Sequence, residues 1–175
     1  GSFGEFSDYR KGFDILFKAI KNLESERNDI EIVILGHSNI LNNLDTNFKF
    51  HFIPKLNDDI SLSICYSAMD VVLIPSRMEN LPNMVTESQS CGIPVVAFDV
   101  SGLSESIANF KTGYLAKPYE ANDFCNGIKW ILSTNIYDEK LSVNSRERAI
   151  NLWCQKKVSK QYCELYKQVL NKEKI

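Results

Sequence analysis

The sequence has no block of basic residues, no long apolar run and no cysteine–histidine cluster, and each absence removes a class of function. Lys and Arg are scattered and the formal net charge is −2, which leaves no electrostatic footprint for nucleic acid. No apolar stretch approaches the roughly 18 residues that a membrane span needs, and no signal-peptide pattern opens the chain. The five cysteines, Cys65, Cys91, Cys125, Cys154 and Cys163, are odd in number, far apart and without a CxxC pair. That spacing argues against a disulfide framework or a metal site, and for reduced, mostly buried thiols in a cytosolic protein. Internal repeats, low-complexity segments and linkers are also missing.

What remains is a chain of 175 residues, 44% hydrophobic and 24% charged, enough to bury one core in a soluble globular domain. Gly1-Ser2 reads as a cloning remnant. The first apolar segment follows almost at once, which predicts a piece of a longer chain, with residues 3–175 forming a single domain. Phe3–Phe6 is a strand candidate, and the spacing of Phe13, Leu16, Phe17, Ile20 and Leu23 predicts a helix. Ile30–Leu35 is a β-branched run ending at Gly36. Phe48, Phe50 and Phe52 alternate with Lys49 and His51, as in a strand with one wet face.

A helix is expected over residues 58–68, a strand over Val71–Ile74, a helix opening at Pro82 or Asn83, and a strand over Pro94–Phe98. After a short helix following Gly102 and a turn at Lys111-Thr112-Gly113, helices are expected over residues 121–132 and through the last third. Trp130, Trp153 and the pair Tyr162 and Tyr166 fall at helical spacing, which predicts core or interdomain packing. Continuously apolar strands alternating with helices imply an α/β, Rossmann-like, doubly wound parallel sheet flanked by helices, with extra helices at the C-terminus. In such a sheet the ligand crevice lies at the carboxyl ends of the strands.

The stretch PSRMENLPNMVTESQSCGIPVVAF, residues 75–98, falls at that crevice. Glu79 lies in the loop after the strand, and Glu87 lies about one turn inside the following helix. The free N–H groups of Asn83, Met84 and Val85 at the helix start favour an anion such as a phosphate. A glutamate in the first turns of a helix also serves the helix dipole, and a loop glutamate is commonly just solvated. Spacing alone leaves both alternatives open.

The ordered set of motifs resembles retaining nucleotide-sugar glycosyltransferases of family 4, which have the GT-B fold. Glu79-x7-Glu87 followed by CGIPVVAF is similar to that family's Glu-x7-Glu motif. DYRKGFDILFKAI resembles its Arg-Lys-Gly turn and first helix, and IEIVILG its second strand. FHFIPKLNDDISLSICYSAMDVVLIPS resembles the segment that reaches the base pocket, and SGLSESIANFKTGYLAKP the Gly-Gly-x-x-Glu loop and Gly-Tyr-Leu turn. The match runs over residues 3–170 and covers only the C-terminal, donor-binding half of a GT-B enzyme, with the acceptor half absent.

The resemblance implies that Glu87 hydrogen-bonds the ribose hydroxyls and that Glu79 faces the transferred sugar as the catalytic carboxylate. It implies that the amides of Asn83, Met84 and Val85, with Lys11, receive the diphosphate, and that Pro54, Lys55 and Leu56 lie against the base. The donor is then a UDP- or GDP-sugar, the positive environment replaces a metal, and there is no separate cofactor. The acceptor is a glycan or lipid-linked molecule bound by the missing half. The expected location is cytoplasmic, compatible with peripheral association of the full-length enzyme at the inner face of the membrane. Working alone, this half is expected to bind nucleotide and transfer little sugar.

Three positions depart from the family pattern. Glu5 follows Gly4 where the family often has a phosphate-binding Arg, so either Arg10 substitutes or the phosphate site is weaker. Pro82 stands where Gly is usual and removes an amide. Ser101-Gly102 replaces Gly-Gly, which restricts the backbone at 101. The ENLPN version of the loop resembles enzymes of surface-polysaccharide assembly. The competing reading is a non-catalytic nucleotide- or partner-binding module of the same fold, which has no use for Glu79. A nucleotide-sugar epimerase is a third reading, and it lacks the acid–base residues it needs.

Overall fold

The computed structural model describes residues 8–36, 46–135 and 139–172. The strand candidate Phe3–Phe6, with Gly4 and Glu5, and His37 lie outside the described residues. A three-residue 3₁₀ turn, Tyr9–Lys11, opens the described chain and leads through Gly12 into helix α1, Phe13–Glu24. The apolar residues of α1 recur at helical spacing, and Phe13, Ile15, Leu16, Ala19, Ile20 and Leu23 are all buried.

Strand β1 is Glu31–Leu35 and β2 is Lys49–Ile53, followed by helix α2, Asp59–Ser67. Asp58 caps α2 by accepting the Ser61 N–H at 2.8 Å. Strand β3, Val72–Ile74, and helix α3, Asn83–Ser90, flank the loop that carries Glu79. Then come β4, Val95–Phe98, helix α4, Ser101–Ser106, β5, Gly113–Ala116, and helices α5, Ala121–Asn135, α6, Lys140–Trp153, and α7, Gln155–Lys172.

Every strand pairing is parallel. Instead of one sheet, the described strands form two hydrogen-bonded sets, β1-β2 and β3-β4-β5. Two apolar clusters each take residues from both sets. Alternation along β4 sends Val96 and Phe98 to one face, with Phe48 and the buried sides of α1 and α5. Val95 and Ala97 point to the other face, with Leu35, Val72, Ile74 and Val85. Helices thus cover both faces, and the loops after the strands gather at one end. This is the expected α/β Rossmann-like architecture.

Three expectations need correction. Gly113-Tyr114-Leu115 is the first part of strand β5, paired with β4, because Val95–Phe98 offers its second edge there. Tyr162, Leu165, Tyr166 and Val169 do share one side of α7, but all are about half exposed or more. They are not core, since α7 has α6 as its main neighbour. For the same reason Cys154 and Cys163 are exposed, and only Cys125 is fully buried. Helix α3 opens at Asn83 as expected, and Pro82 takes the cap position with extended backbone and no side-chain cap. Trp130 packs as expected, with ring centroids 5.1 Å from Phe110 and 6.1 Å from Tyr114.

Candidate functional site

Lys11, Ser76, Glu79, Leu81, Pro82, Asn83, Met84 and Glu87 line one end of a long cleft, at the carboxyl ends of the strands; the same cleft continues between β1-β2 and β3, past residues of α1. Three loops build the first of these ends. Gly12, with φ +66°, turns the chain against the β3 loop so tightly that a Cβ there would stand 1.9 Å from the Pro75 carbonyl oxygen. On the other side the Gly102 N–H donates to the Glu79 carbonyl at 3.0 Å. A Cβ at Gly102 would fall 1.2 Å from the Asn80 carbonyl oxygen. The substitution at Ser101 therefore keeps the close approach at 102, while Ser101 itself sits at φ +48°, a left-handed conformation disfavoured for a side chain.

The Glu79 carboxylate is held from two directions. The Lys11 ammonium donates to Oε1 at 2.8 Å and the Ser76 hydroxyl to the same oxygen at 3.0 Å. Ser76 is buried, and Lys11 and Glu79 are each about a quarter exposed or less. Oε2 of Glu79 takes no bond from the described residues, and Glu79 lines the cleft. The pair brings together a cation and a carboxylate from residues 68 positions apart.

Glu87 is held differently. The Tyr66 hydroxyl donates to its Oε2 at 2.9 Å. Tyr66 comes from α2 and is 1% exposed. Burial, and then the neighbouring Glu87 charge, push its phenol far above the ordinary range. Tyr66 therefore stays a donor, and Glu87 keeps Oε1 for another ligand. At the start of α3 the Val85 N–H is already taken by the Pro82 carbonyl at 3.0 Å. The open amides of that first turn are those of Asn83 and Met84, which have no acceptor among the described residues.

Apart from His51, which lines the same cleft, the remaining candidates do not reach it. Arg10 folds back on Asp8, with its Nη2 2.8 Å from Oδ2 and its Nε 3.2 Å from Oδ1. It is exposed there and does not line the cleft, because the nearest carboxylate on its own turn captures it. Pro54, Lys55 and Leu56 also lie off the lining, which ends at Ile53 on that side. Leu56 packs instead against the second apolar cluster. His51 pairs with Glu31 on the surface at 2.6 Å. Among the described residues no group of three or more His, Cys, Asp or Glu could hold a metal ion. No described helix is long and apolar enough to cross a membrane.

Sequence reasoning missed Tyr66, Arg77 and Asp14. Tyr66 reaches Glu87 across 21 positions, and Arg77 reaches Asp14 across 63. Neither pairing leaves a local pattern; the only trace of Tyr66 is a large polar-tipped residue on the inner side of a predicted helix.

The chain belongs to the family of glycosyl transferases group 1, which matches residues 2–148. It is 30% identical over 129 residues to the D-inositol 3-phosphate glycosyltransferase of Pseudarthrobacter chlorophenolicus, covering 68% of this chain and 31% of that one. Sucrose-phosphate synthase from Thermosynechococcus elongatus superposes with a TM-score of 0.79 at 26% identity, over 94% of this chain and 43% of that one. The Anabaena protein HepE, solved with UDP and glucose, superposes with a TM-score of 0.77 at 21% identity, over 95% and 47%. The fold is thus that of the GT-B glycosyltransferases. The chain spans less than half the length of each of these relatives.

Proposed function

We propose that this chain is the donor-binding unit of a retaining glycosyltransferase of family 4 that uses a UDP- or GDP-sugar. The observation that carries the reading is the meeting of Lys11 and Glu79 at 2.8 Å, beside the open helix start and within the cleft that Glu87 also lines. A vicinal diol offers two O–H donors, and the free oxygen of Glu87 is an acceptor for the ribose. The amides of Asn83 and Met84 suit the diphosphate at the positive end of α3. The Val85 amide, engaged with Pro82, drops out of that set.

Lys11 pairs with Glu79 at 2.8 Å. With donor bound, its ammonium serves the diphosphate, where negative charge grows as the bond to the anomeric carbon breaks. Lys11 and the helix start supply the positive field that a metal would otherwise give. In a retaining transfer the acceptor oxygen bonds the anomeric carbon on the face the phosphate leaves. The departing phosphate oxygen takes the acceptor's hydroxyl proton, so atoms and charge balance. Glu79, fixed by Ser76 and Lys11, faces the sugar and stabilises positive charge on its ring. The acceptor class is a glycan or lipid-linked molecule of surface-polysaccharide assembly, on the resemblance of the ENLPN loop, with the reaction placed on the cytoplasmic side.

Calorimetric titration of UDP, GDP and ADP into the chain tests this reading. One uracil or guanine nucleotide should bind saturably, and Glu87→Ala should weaken it by about 1–3 kcal/mol, the scale for losing a charged hydrogen-bond partner. Absence of binding by all three at millimolar concentration would contradict it.

A further inference from the structure

Arg77 stands two residues before Glu79 and does not line the cleft. Its guanidinium donates three hydrogen bonds. Nη1 donates to the Tyr9 carbonyl at 2.6 Å and to Asp14 Oδ1 at 2.8 Å, and Nη2 donates to Asp14 Oδ2 at 2.7 Å. Its carbon centre lies 3.9 Å from the Tyr9 ring centroid. Its backbone N–H donates to the Arg10 carbonyl at 2.8 Å. The Arg77 side chain is 11% exposed and that of Asp14 56%, so the fork is sheltered on the arginine side.

These contacts all fall on the turn that carries Lys11. Tyr9 and Arg10 precede the lysine and Asp14 follows it, while Gly12 lies against Pro75 of Arg77's own loop. We propose that Arg77 is a positioning residue: by clamping Tyr9, Arg10 and Asp14 it holds the Lys11 turn against the Glu79 loop, so that the lysine ammonium is presented to the diphosphate. The inference rests on the assignment of Lys11 to the diphosphate made above. Arg77 is not assigned to the phosphate itself, because it does not line the cleft and its fork is engaged with Tyr9 and Asp14. Lysine at 77 would keep the charge and lose the fork.

The test pairs Arg77→Gln with Asp14→Asn, which opens the same clamp from the more exposed side, and reads UDP, GDP and uridine binding. Whichever diphosphate binds should weaken about tenfold in both variants, the scale of a displaced charged hydrogen bond. Uridine, which has no phosphate, should be unaffected, and Arg77→Lys should not rescue. Adding Arg77→Gln to Lys11→Met should cause no further loss, since both remove the same contact. Nitrogen-15 spectra of the lysine ammonium groups give a readout without nucleotide: the hydrogen-bonded Lys11 signal should be present in wild type and lost in Arg77→Gln. Equal losses of diphosphate and uridine, an undiminished loss in the Lys11→Met background, or an unchanged Lys11 signal would overturn the positioning role. If wild type binds no nucleotide, the proposed function fails and the Lys11 signal alone decides whether Arg77 positions that residue.

Discussion

Glu79 sits on a loop and takes its place from other loops, whereas Glu87 sits in a helix and takes its place from a buried phenol. The loop carboxylate meets a lysine and a serine hydroxyl on one oxygen, and its backbone is tied down by Gly102. The helix carboxylate needs only Tyr66, because α3 already packs Val85, Ser88 and Gln89 into the interior. The contrast matches the two duties proposed. A ribose grip has to be rigid and can be built on a regular element. A carboxylate beside a reacting sugar has to trade partners as charge moves, and a loop held by a cation permits that exchange.

The comparison can be broken most sharply at Glu87. Glu87→Ala should cost about 1–3 kcal/mol in nucleotide affinity, and it should also lower stability by about 1–3 kcal/mol, because the buried Tyr66 hydroxyl loses its acceptor. Tyr66→Phe sharpens the point from the other side. It keeps the ring in its buried place and removes one hydrogen bond to a charged group, so denaturant unfolding should show a loss of about 1–2 kcal/mol. Nucleotide binding should weaken with it as Glu87 loses its fixed rotamer.

The loop side responds to pH. The Arg77 fork holds the Asp14 carboxyl below its usual range. A folded value below the unfolded one means that the stability from this pair is complete above about pH 4 and lost as pH falls through the folded value. Melting curves from pH 6 down to pH 3 should show that loss, and Asp14→Asn should flatten it. The amplitude stays below about 1 kcal/mol because the Asp14 side chain is more than half exposed. The smallest effect belongs to Ser101→Gly, which relieves a left-handed residue and should raise stability by about 0.5–1 kcal/mol in the same assay.

Much of the fold was legible because its signals are local. The helix over Phe13–Glu24 announces itself by apolar spacing, and β4 by a run of four residues buried on both sides. Glu79, Glu87, Lys11 and the start of α3 were legible as an ordered set of motifs. What was not legible depends on distance in sequence or on what packs nearby. Strand β5 is short and its Gly113 resembles a turn residue, so only its pairing with β4 reveals it. The apolar side of α7 obeys helical spacing yet stays exposed, since periodicity states which residues share a side and not what covers them. Arg10 was matched by its place in a motif, but its nearest carboxylate, two positions back, decides where it points. Tyr66 and Arg77 have partners that only the folded chain brings near.

The central claim is that the two carboxylates grip different ends of one donor. Its most direct test is to titrate the nucleotide diphosphate that binds, and its sugar conjugate, into wild type, Glu79→Gln and Glu87→Gln. Glu87→Gln should weaken nucleotide and conjugate alike, whereas Glu79→Gln should leave the bare nucleotide undiminished and weaken only the conjugate. Equal losses for both ligands in both variants, or no loss in either, would contradict the account.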